Sequence, residues 1–390
     1  MENIGPFHWF FTLSCGDMRW CANFSSYFEE KSYGLSVNEE GNVQMSKEWK
    51  EGEDLTVGWS GEKGDRTMKR QWDEFKESEE FKKSVHGHDK IRNDVLLATR
   101  NFQHRVEMFR REVIFGSNNP MKVRHITYRV EFQGRGAGHI HGVLWVDLEE
   151  INKDMKEELK EEIEKVEEEM AEEGEKEGKV NSETVLVDAY EKLRTNKQLK
   201  KAEARALEVY ADKFCTCSLN KEEVGKRVVA IAKLVNEHGH SKSCKKRSPN
   251  CRWHYPKFPL DKTVFIDANR EIPEEEKLTT SERETILERV KNVLIENVDG
   301  KEKTSKIVDD ILKECPKSKE NTIHKRILMI LDEANKGEEV KIEYKVYKRA
   351  VEQQPDKSQR CKIHLRRDID ETFINNYNPE WLEDWDSNID

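Results

Sequence analysis

The stretch Val123–Leu148, "VRHITYRVEFQGRGAGHIHGVLWVDL", decides how this chain is read. Two runs rich in β-branched and aromatic residues flank a glycine-bearing centre, "QGRGAG", which predicts two strands joined by a turn. His139 and His141 stand two apart in the second run, so both point to one face while Ile140 points to the other. Folding the hairpin symmetrically about Gly136 sets Gln133 opposite His139 and Glu131 opposite His141. All four side chains then share a face, with opposed Cβ atoms about 4.5–5.5 Å apart. Two imidazoles and a carboxylate suit a divalent cation that keeps open positions for a substrate oxygen. Two ordinary surface imidazoles would show the same His-x-His spacing; Glu131 on the shared face is what favours a metal. Gly136 and Gly138 allow the tight turn, and Gly142 allows a close backbone approach.

Outward from the hairpin, "FHWFFTLS" (Phe7 to Ser14) predicts a strand, because aromatics and Thr favour extended structure. Asp89 to Phe115 predicts a long helix with Val95, Ala98, Phe102, Val106, Phe109 and Val113 as its apolar stripe, ended by Gly116 and Pro120. His86 and His88 read as a loop feature before it. From Glu149 to about Arg205 the sequence is dominated by Glu and Lys with sparse apolar residues. That predicts a solvated helical spacer or insertion packed through one thin stripe, rather than a binding arm.

"HGHSKSCKKRSPNCRWHYPKFP" (His238 to Pro259) places His238, His240, Cys244 and Cys251 within fourteen residues. Two nitrogens and two sulfurs complete a tetrahedral set for structural zinc, with free thiols and surface His as the alternative. Lys245, Lys246 and Arg247 between the cysteines make a basic knuckle; Cys215, Cys217 and His254 are spare candidates. Further on, "RETILERVKNVLIENV" (Arg283 to Val298) and "HKRILMILDEAN" (His324 to Asn335) predict amphipathic helices. The tail returns to strand-like, aromatic composition.

Bulk properties narrow the class. The 390 residues are 35% hydrophobic and 37% charged, with net charge −10. That charge argues against a uniformly basic nucleic-acid binder, but charge can be segregated by region, so the total decides little. No apolar run approaches the ~20 residues that span a bilayer, and Met1 to Cys15 lacks a basic start and a cleavage site. Eight scattered Cys in a chain without a secretion signal favour metal or free thiols, hence an intracellular, reducing location.

"TYRVEFQGRGAGHIHGVLWVDLE" (Thr127 to Glu149) closely resembles the second rolling-circle motif of Helitron replication initiators, members of the HUH endonucleases, in which His-hydrophobic-His binds a divalent metal. "FFTLSCGDMRW" (Phe10 to Trp20) resembles the family's first motif, "ATRNFQHRVEMFRREVI" (Ala98 to Ile114) its long helix, and "INNYNPEWLEDWDSNID" (Ile374 to Asp390) the segment before its tyrosine motif. The matches run in order along the chain and leave out the charged stretch.

The resemblance implies an α+β fold: a ferredoxin-like HUH antiparallel sheet with flanking helices and both His on a central strand, plus a charged helical insertion and a small Cys/His zinc-binding subdomain. The expected units are an HUH nuclease-like core over 1–148, the insertion over 149–205, the zinc segment over 206–262, a charged helical region over 263–355 and a return segment over 356–390. Mg²⁺ or Mn²⁺ at His139, His141 and Glu131 would polarise a scissile phosphate for attack by a tyrosine, leaving a phosphotyrosyl enzyme. Gln133, Arg129 and Arg135 would contact the DNA. The zinc pattern of the family matches His238, His240, Cys244 and Cys251. The expected partner is single-stranded DNA at transposon ends, in the nucleus, together with a helicase domain if the full-length polypeptide carries one.

The family's nucleophilic tyrosines follow the "NNYNP" segment, so the resemblance implies either a fragment of a longer product or a degraded copy. Tyr344 and Tyr347 are the one closely spaced pair here and match no family motif; Tyr377 reads as structural. Two rivals stay open: the same fold binding DNA without cutting it, and a charged interaction protein whose His pair is accidental.

Overall fold

The computed structural model describes residues 7–15, 35–37, 43–45, 95–132, 138–172, 174, 177–240, 244, 251–267, 272–298, 301–316, 322–353, 361–385, 387 and 389. The strands are β1 (Trp9–Ser14), β2 (Leu35–Val37), β3 (Val43–Met45), β4 (Val123–Phe132), β5 (Gly138–Val146), β6 (Val264–Ile266), β7 (Ile295–Val298), β8 (Lys301–Thr304) and β9 (Lys362–His364). The first half carries helices α1 (Val95–Met108), α2 (Leu148–Asp154), α3 (Lys156–Glu172), α4 (Val185–Arg194), α5 (Lys201–Phe214), α6 (Lys221–Val224) and α7 (Lys226–Ile231). The second half adds α8 (Thr280–Leu294), α9 (Lys306–Glu314), α10 (Thr322–Ala334), α11 (Tyr344–Glu352) and α12 (Pro379–Trp385). This is a mixed α and β architecture with small antiparallel sheets. No helix among the described residues is long and apolar enough to cross a membrane.

The largest of these sheets has the order β1-β5-β4, all antiparallel, so the strand bearing both His is the middle one. The hairpin register differs from the symmetric folding about Gly136. Glu131 pairs with His139, Arg129 with His141, and Phe132 with Gly138. The register is therefore shifted by two residues, and Gly138 belongs to the strand. The reason is packing: the Phe102 ring of α1 lies where a Cβ on residue 138 would be. A slip of two residues keeps every side chain on its face, so the shared face survives the correction. Gln133 and Arg135 lie outside the described residues.

The opposite face of the sheet is the core. Phe11, Leu13, Ile140 and Leu144 are buried there, with Phe102, Val106 and Phe109 packed in the same cluster. Gly142 matters in the same way as Gly138, since a methyl group there would fall inside the Phe11 ring. After Met108 the helix widens to a π-turn over Phe109–Ile114, where Phe115 N–H donates to the Arg110 carbonyl at 3.0 Å. The extra residue shifts the stripe, so Ile114 is buried where the 3.6 period points to Val113.

The charged segment does not stand apart. Ile151, Met155, Leu159 and Ile163 recur every four residues and join the same core as the sheet, beside Leu186 and Ala189 of α4 and Ala206 of α5. Most Glu and Lys residues occupy the outer faces of these helices, whereas Glu203 of α5 is buried and paired with Lys192 at 2.6 Å.

Helices α8 to α11 surround a second core around Val290, Leu294, Ile330, Leu331 and Tyr347. The amphipathic run predicted through Val298 stops as helix at Leu294; Ile295–Val298 pairs instead with β8. Asp299–Gly300 in the sequence is a hairpin signal that outweighs the helical period. The tail is partly helical: Asn378 Oδ1 accepts the Trp381 N–H at 3.0 Å with Pro379 in the first turn, which starts α12. Trp381, Leu382 and Trp385 then fill the first core, and Ile389 bridges Leu13 on β1. The buried Arg326–Asp368 ion pair ties α10 to the segment leading into this tail.

Candidate functional site

Two groups of ligand-type side chains come together. The first lies on the less buried face of the sheet. His139 and His141 adjoin with ring centroids 4.5 Å apart. Ser14, in register with His139, shares a hydrogen bond between its hydroxyl and His139 Nδ1 at 2.9 Å. Glu131 Oε2 stands 3.7 Å from His141 Nε2, and its other oxygen is 3.4 Å from Arg129 Nε. Phe10, two residues before Thr12, stacks on His141 with centroids 5.9 Å apart. Two imidazoles and a carboxylate are the donor types of a mixed nitrogen–oxygen divalent-cation site, and the closest approach of the carboxylate to a ring nitrogen is the 3.7 Å between Glu131 and His141. They do not converge as tightly as the second group.

That second group is His238, His240, Cys244 and Cys251, whose ligand atoms all lie within 4.8 Å of one another. Among the described residues no other set of His, Cys, Asp and Glu converges in this way. Cys244 Sγ is 3.5 Å from His240 Nδ1, and Cys251 Sγ is 3.4 Å from His238 Nε2. A tetrahedron with metal–nitrogen bonds near 2.0 Å and metal–sulfur bonds near 2.3 Å has nitrogen–sulfur edges of about 3.5 Å, so the set fits a tetrahedral ion.

Each member of the set is held from behind. Cys244 and Cys251 are buried with Tyr255 and Phe373. His238 N–H donates to the Phe373 carbonyl at 2.7 Å, and its ring stacks on Tyr255 at 4.3 Å. Burial, followed by the neighbouring His240, lowers the His238 pKa to about 4, which keeps the ring neutral at pH 7 and able to give a lone pair. His240 Nε2 is 2.9 Å from Glu302 Oε2 on β8, and Glu302 in turn lies 3.8 Å from Lys291 Nζ. With Nδ1 turned to a metal, Nε2 carries the proton and donates to Glu302, which fixes the tautomer. Glu302 is a residue that sequence reading missed; it is 62 positions from His240.

The spare ligand candidates stay outside this set. Cys217 is fully buried, its thiol donates to the Arg366 carbonyl at 3.2 Å, and burial pushes its pKa up to about 12. Of the basic knuckle, Lys245, Lys246 and Arg247 lie outside the described residues, as do His86 and His88. Trp253 beside the set is 41% exposed, with the Arg252 guanidinium 4.0 Å from its ring centroid.

The tyrosine candidates Tyr344 and Tyr347 both pack with the second core. Tyr347 is wholly buried in the second core and donates to the Pro259 carbonyl at 2.8 Å. Tyr344 hydrogen-bonds Asp261, and burial with that carboxylate raises its pKa far above 10. Both phenols donate a hydrogen bond, and the raised pKa of each favours the protonated form. Tyr377 is likewise buried and donates to the Ser218 carbonyl.

The family model described as "Helitron helicase-like domain at N-terminus" matches residues 66–144. That span contains α1, β4 and most of β5, with Glu131, His139 and His141, and marks this part of the chain as Helitron-like. Comparison with curated proteins and with solved structures gives no match.

Proposed function

We propose that this chain is the DNA-handling module of a Helitron-type rolling-circle transposition initiator. It binds the single strand of a transposon end on the face carrying His139, His141 and Glu131, which hold Mg²⁺ or Mn²⁺; His238, His240, Cys244 and Cys251 hold a structural zinc. The observation that carries the reading is the approach of Glu131 to His141 on the middle strand, inside the Helitron-like span. A divalent ion held there supplies charge neutralisation for phosphate oxygens.

The protein's own groups divide the rest of the work. Ser14 orients the His139 ring through Nδ1, and in this reading Nε2 would be the atom offered to a metal. Phe10 offers an exposed ring for a base and Arg129 an exposed guanidinium for phosphate. Gln133 and Arg135, next in the hairpin, extend the contact surface in this reading. Nicking needs an attacking oxygen held in line. Tyr344, Tyr347 and Tyr377 are each engaged in a hydrogen bond elsewhere, so this reading takes none of the three as the attacking group. A tyrosine beyond Asp390 in a longer polypeptide would start near Ile389, which bridges Leu13, two strand spacings or roughly 10 Å from the His-Ile-His strand.

The test is fluorescence anisotropy of a labelled Helitron-end single strand with and without Mn²⁺. Binding that strengthens with Mn²⁺ in the wild type, and loses that gain in His139→Ala/His141→Ala, supports the reading. Binding that ignores both the metal and the two His overturns it.

A further inference from the structure

A hollow of about 540 Å³ opens at the Trp9 end of β1. Its walls are strongly aromatic: Trp9 and Phe10 from β1, Tyr190 from α4, Tyr210 from α5 and Phe265 from β6, with Lys362 of β9 in the same lining. We propose that this hollow is a nucleobase pocket, which takes one base of the strand whose phosphate lies at the His pair. The inference rests on the single-stranded DNA reading and adds to it a place for one base.

Four observations carry it. The volume lies in the ordinary range of ligand pockets, about 300–1,000 Å³. Phe10 belongs to both sites: it lines the hollow and stacks on His141 at 5.9 Å. Trp9 is three residues along β1 from Thr12, the register partner of His141, so its backbone lies about 10 Å along the strand from that of Thr12, with its ring on the core face and that of Phe10 on the face of the His pair. Finally, Phe10 and Ile363 are 55% and 40% exposed, an apolar rim kept in water at the mouth.

The chemistry of the lining favours a base over an aliphatic chain. Aromatic walls stack on the π-face that every base has. Polar atoms sit among them. Tyr210 accepts the Trp9 Nε1–H at 2.5 Å and so keeps its own phenolic proton to donate. His8 accepts the Val146 N–H at Nδ1 and is held neutral by burial, so its Nε2 carries a proton. Lys362 adds a positive charge in the same wall for the backbone of the strand.

The experiment is an abasic scan. Binding is measured by anisotropy for a labelled single strand of about 16 nucleotides, near the upper end of single-domain site sizes, and for copies with one base removed at each position. The proteins are wild type, Tyr190→Ala and Ile363→Asp, with circular dichroism to verify folding. One abasic position should weaken wild-type binding by roughly 5- to 150-fold, the range for a single lost stack. Tyr190→Ala should weaken the intact strand similarly and become indifferent to that position; Ile363→Asp carries the same test if Tyr190→Ala fails to fold. An abasic penalty retained in full by both variants overturns the pocket while leaving the DNA reading intact. A wild-type protein that does not bind the strand overturns both.

Discussion

Glu131 stands opposite His139 in the strand register, yet its carboxylate reaches diagonally to His141, with Oε2 3.7 Å from Nε2. Diagonal neighbours across a strand pair lie within reach of long side chains, and Arg129 steadies the other oxygen at 3.4 Å. The carboxylate is thus aimed along the diagonal at His141, not straight across at its register partner. Calorimetric titration with Mn²⁺ should show a site that disappears in His139→Ala/His141→Ala. Glu131→Gln, which keeps the shape and removes the charge, should weaken Mn²⁺ roughly tenfold or more; about 1.4 kcal/mol accompanies each tenfold step. Unchanged affinity in the double variant would place the metal elsewhere.

The tetrahedral set gives a second expectation. Protein purified without chelator should hold about one zinc per chain by elemental analysis, and Cys244→Ser or Cys251→Ser should lose it. Glu302→Gln leaves all four ligands in place and breaks only the support behind His240. Second-sphere losses of this type cost about 10- to 100-fold in affinity. A competition titration against a chromogenic chelator reads that shift, and equal affinity in Glu302→Gln would show that the β7–β8 hairpin plays no part in holding the ion.

These two sites were legible to different degrees, for physical reasons. The shared face of Glu131, His139 and His141 follows from the two-residue period of a strand, which survives a two-residue slip. The slip itself was hidden because Gly138 serves packing against Phe102, whereas a glycine near a turn reads as a turn residue. The Cys/His set was legible because its four ligands are close in sequence. Glu302 was not, since it arrives from a hairpin that only the Asp299–Gly300 pair signals. The tyrosines show the reverse limit: "KIEYKVYKRA" looks charged and exposed, and burial of Tyr347 depends on a core assembled from three other helices.

Trp385 closes the first core from the far end of the chain. Its ring meets Phe102 and Phe109 at 6.2 and 5.3 Å, and its Nε1–H donates to the Ser14 carbonyl at 2.8 Å. Trp385→Ala removes a fully buried ring and leaves a cavity, so chemical denaturation should report about 3–5 kcal/mol lost. Trp385→Phe keeps most of the volume and loses the hydrogen bond, so it should cost distinctly less. Equal losses would mean that the hydrogen bond, and not the packing, anchors the tail to β1.

His8 and His364 make stability depend on pH in one direction. Burial lowers the pKa of each from 6.5 to about 4. Above pH 6.5 both rings are neutral whether folded or unfolded and contribute no pH dependence. Between 6.5 and about 4 the unfolded chain takes up protons that the folded chain refuses, so stability falls as pH falls; below that window the effect levels off. His8→Gln should flatten the fall between pH 6.5 and 4 in thermal denaturation curves. A His8→Gln curve parallel to wild type would show that this ring is solvated in the native protein.

The final prediction concerns cutting. A phosphotyrosyl intermediate requires a phenol that can lose its proton at a phosphorus held in line. Tyr347 donates to a carbonyl inside a sealed core, and Tyr344 donates to Asp261, whose negative charge opposes formation of a phenolate. Incubation of the chain with labelled Helitron-end single strand and Mn²⁺, followed by denaturing electrophoresis, should therefore give no slow-migrating covalent band. Tyr344→Phe should leave DNA affinity unchanged, because its hydroxyl serves Asp261 rather than the strand. Tyr347→Phe should also leave affinity unchanged, but cost about 1–3 kcal/mol of stability for the orphaned Pro259 carbonyl. A covalent band from the wild-type chain that vanishes in Tyr344→Phe would overturn the assignment of that tyrosine to structure and make it the nucleophile. A band that survives both substitutions would direct peptide mapping to the remaining tyrosines.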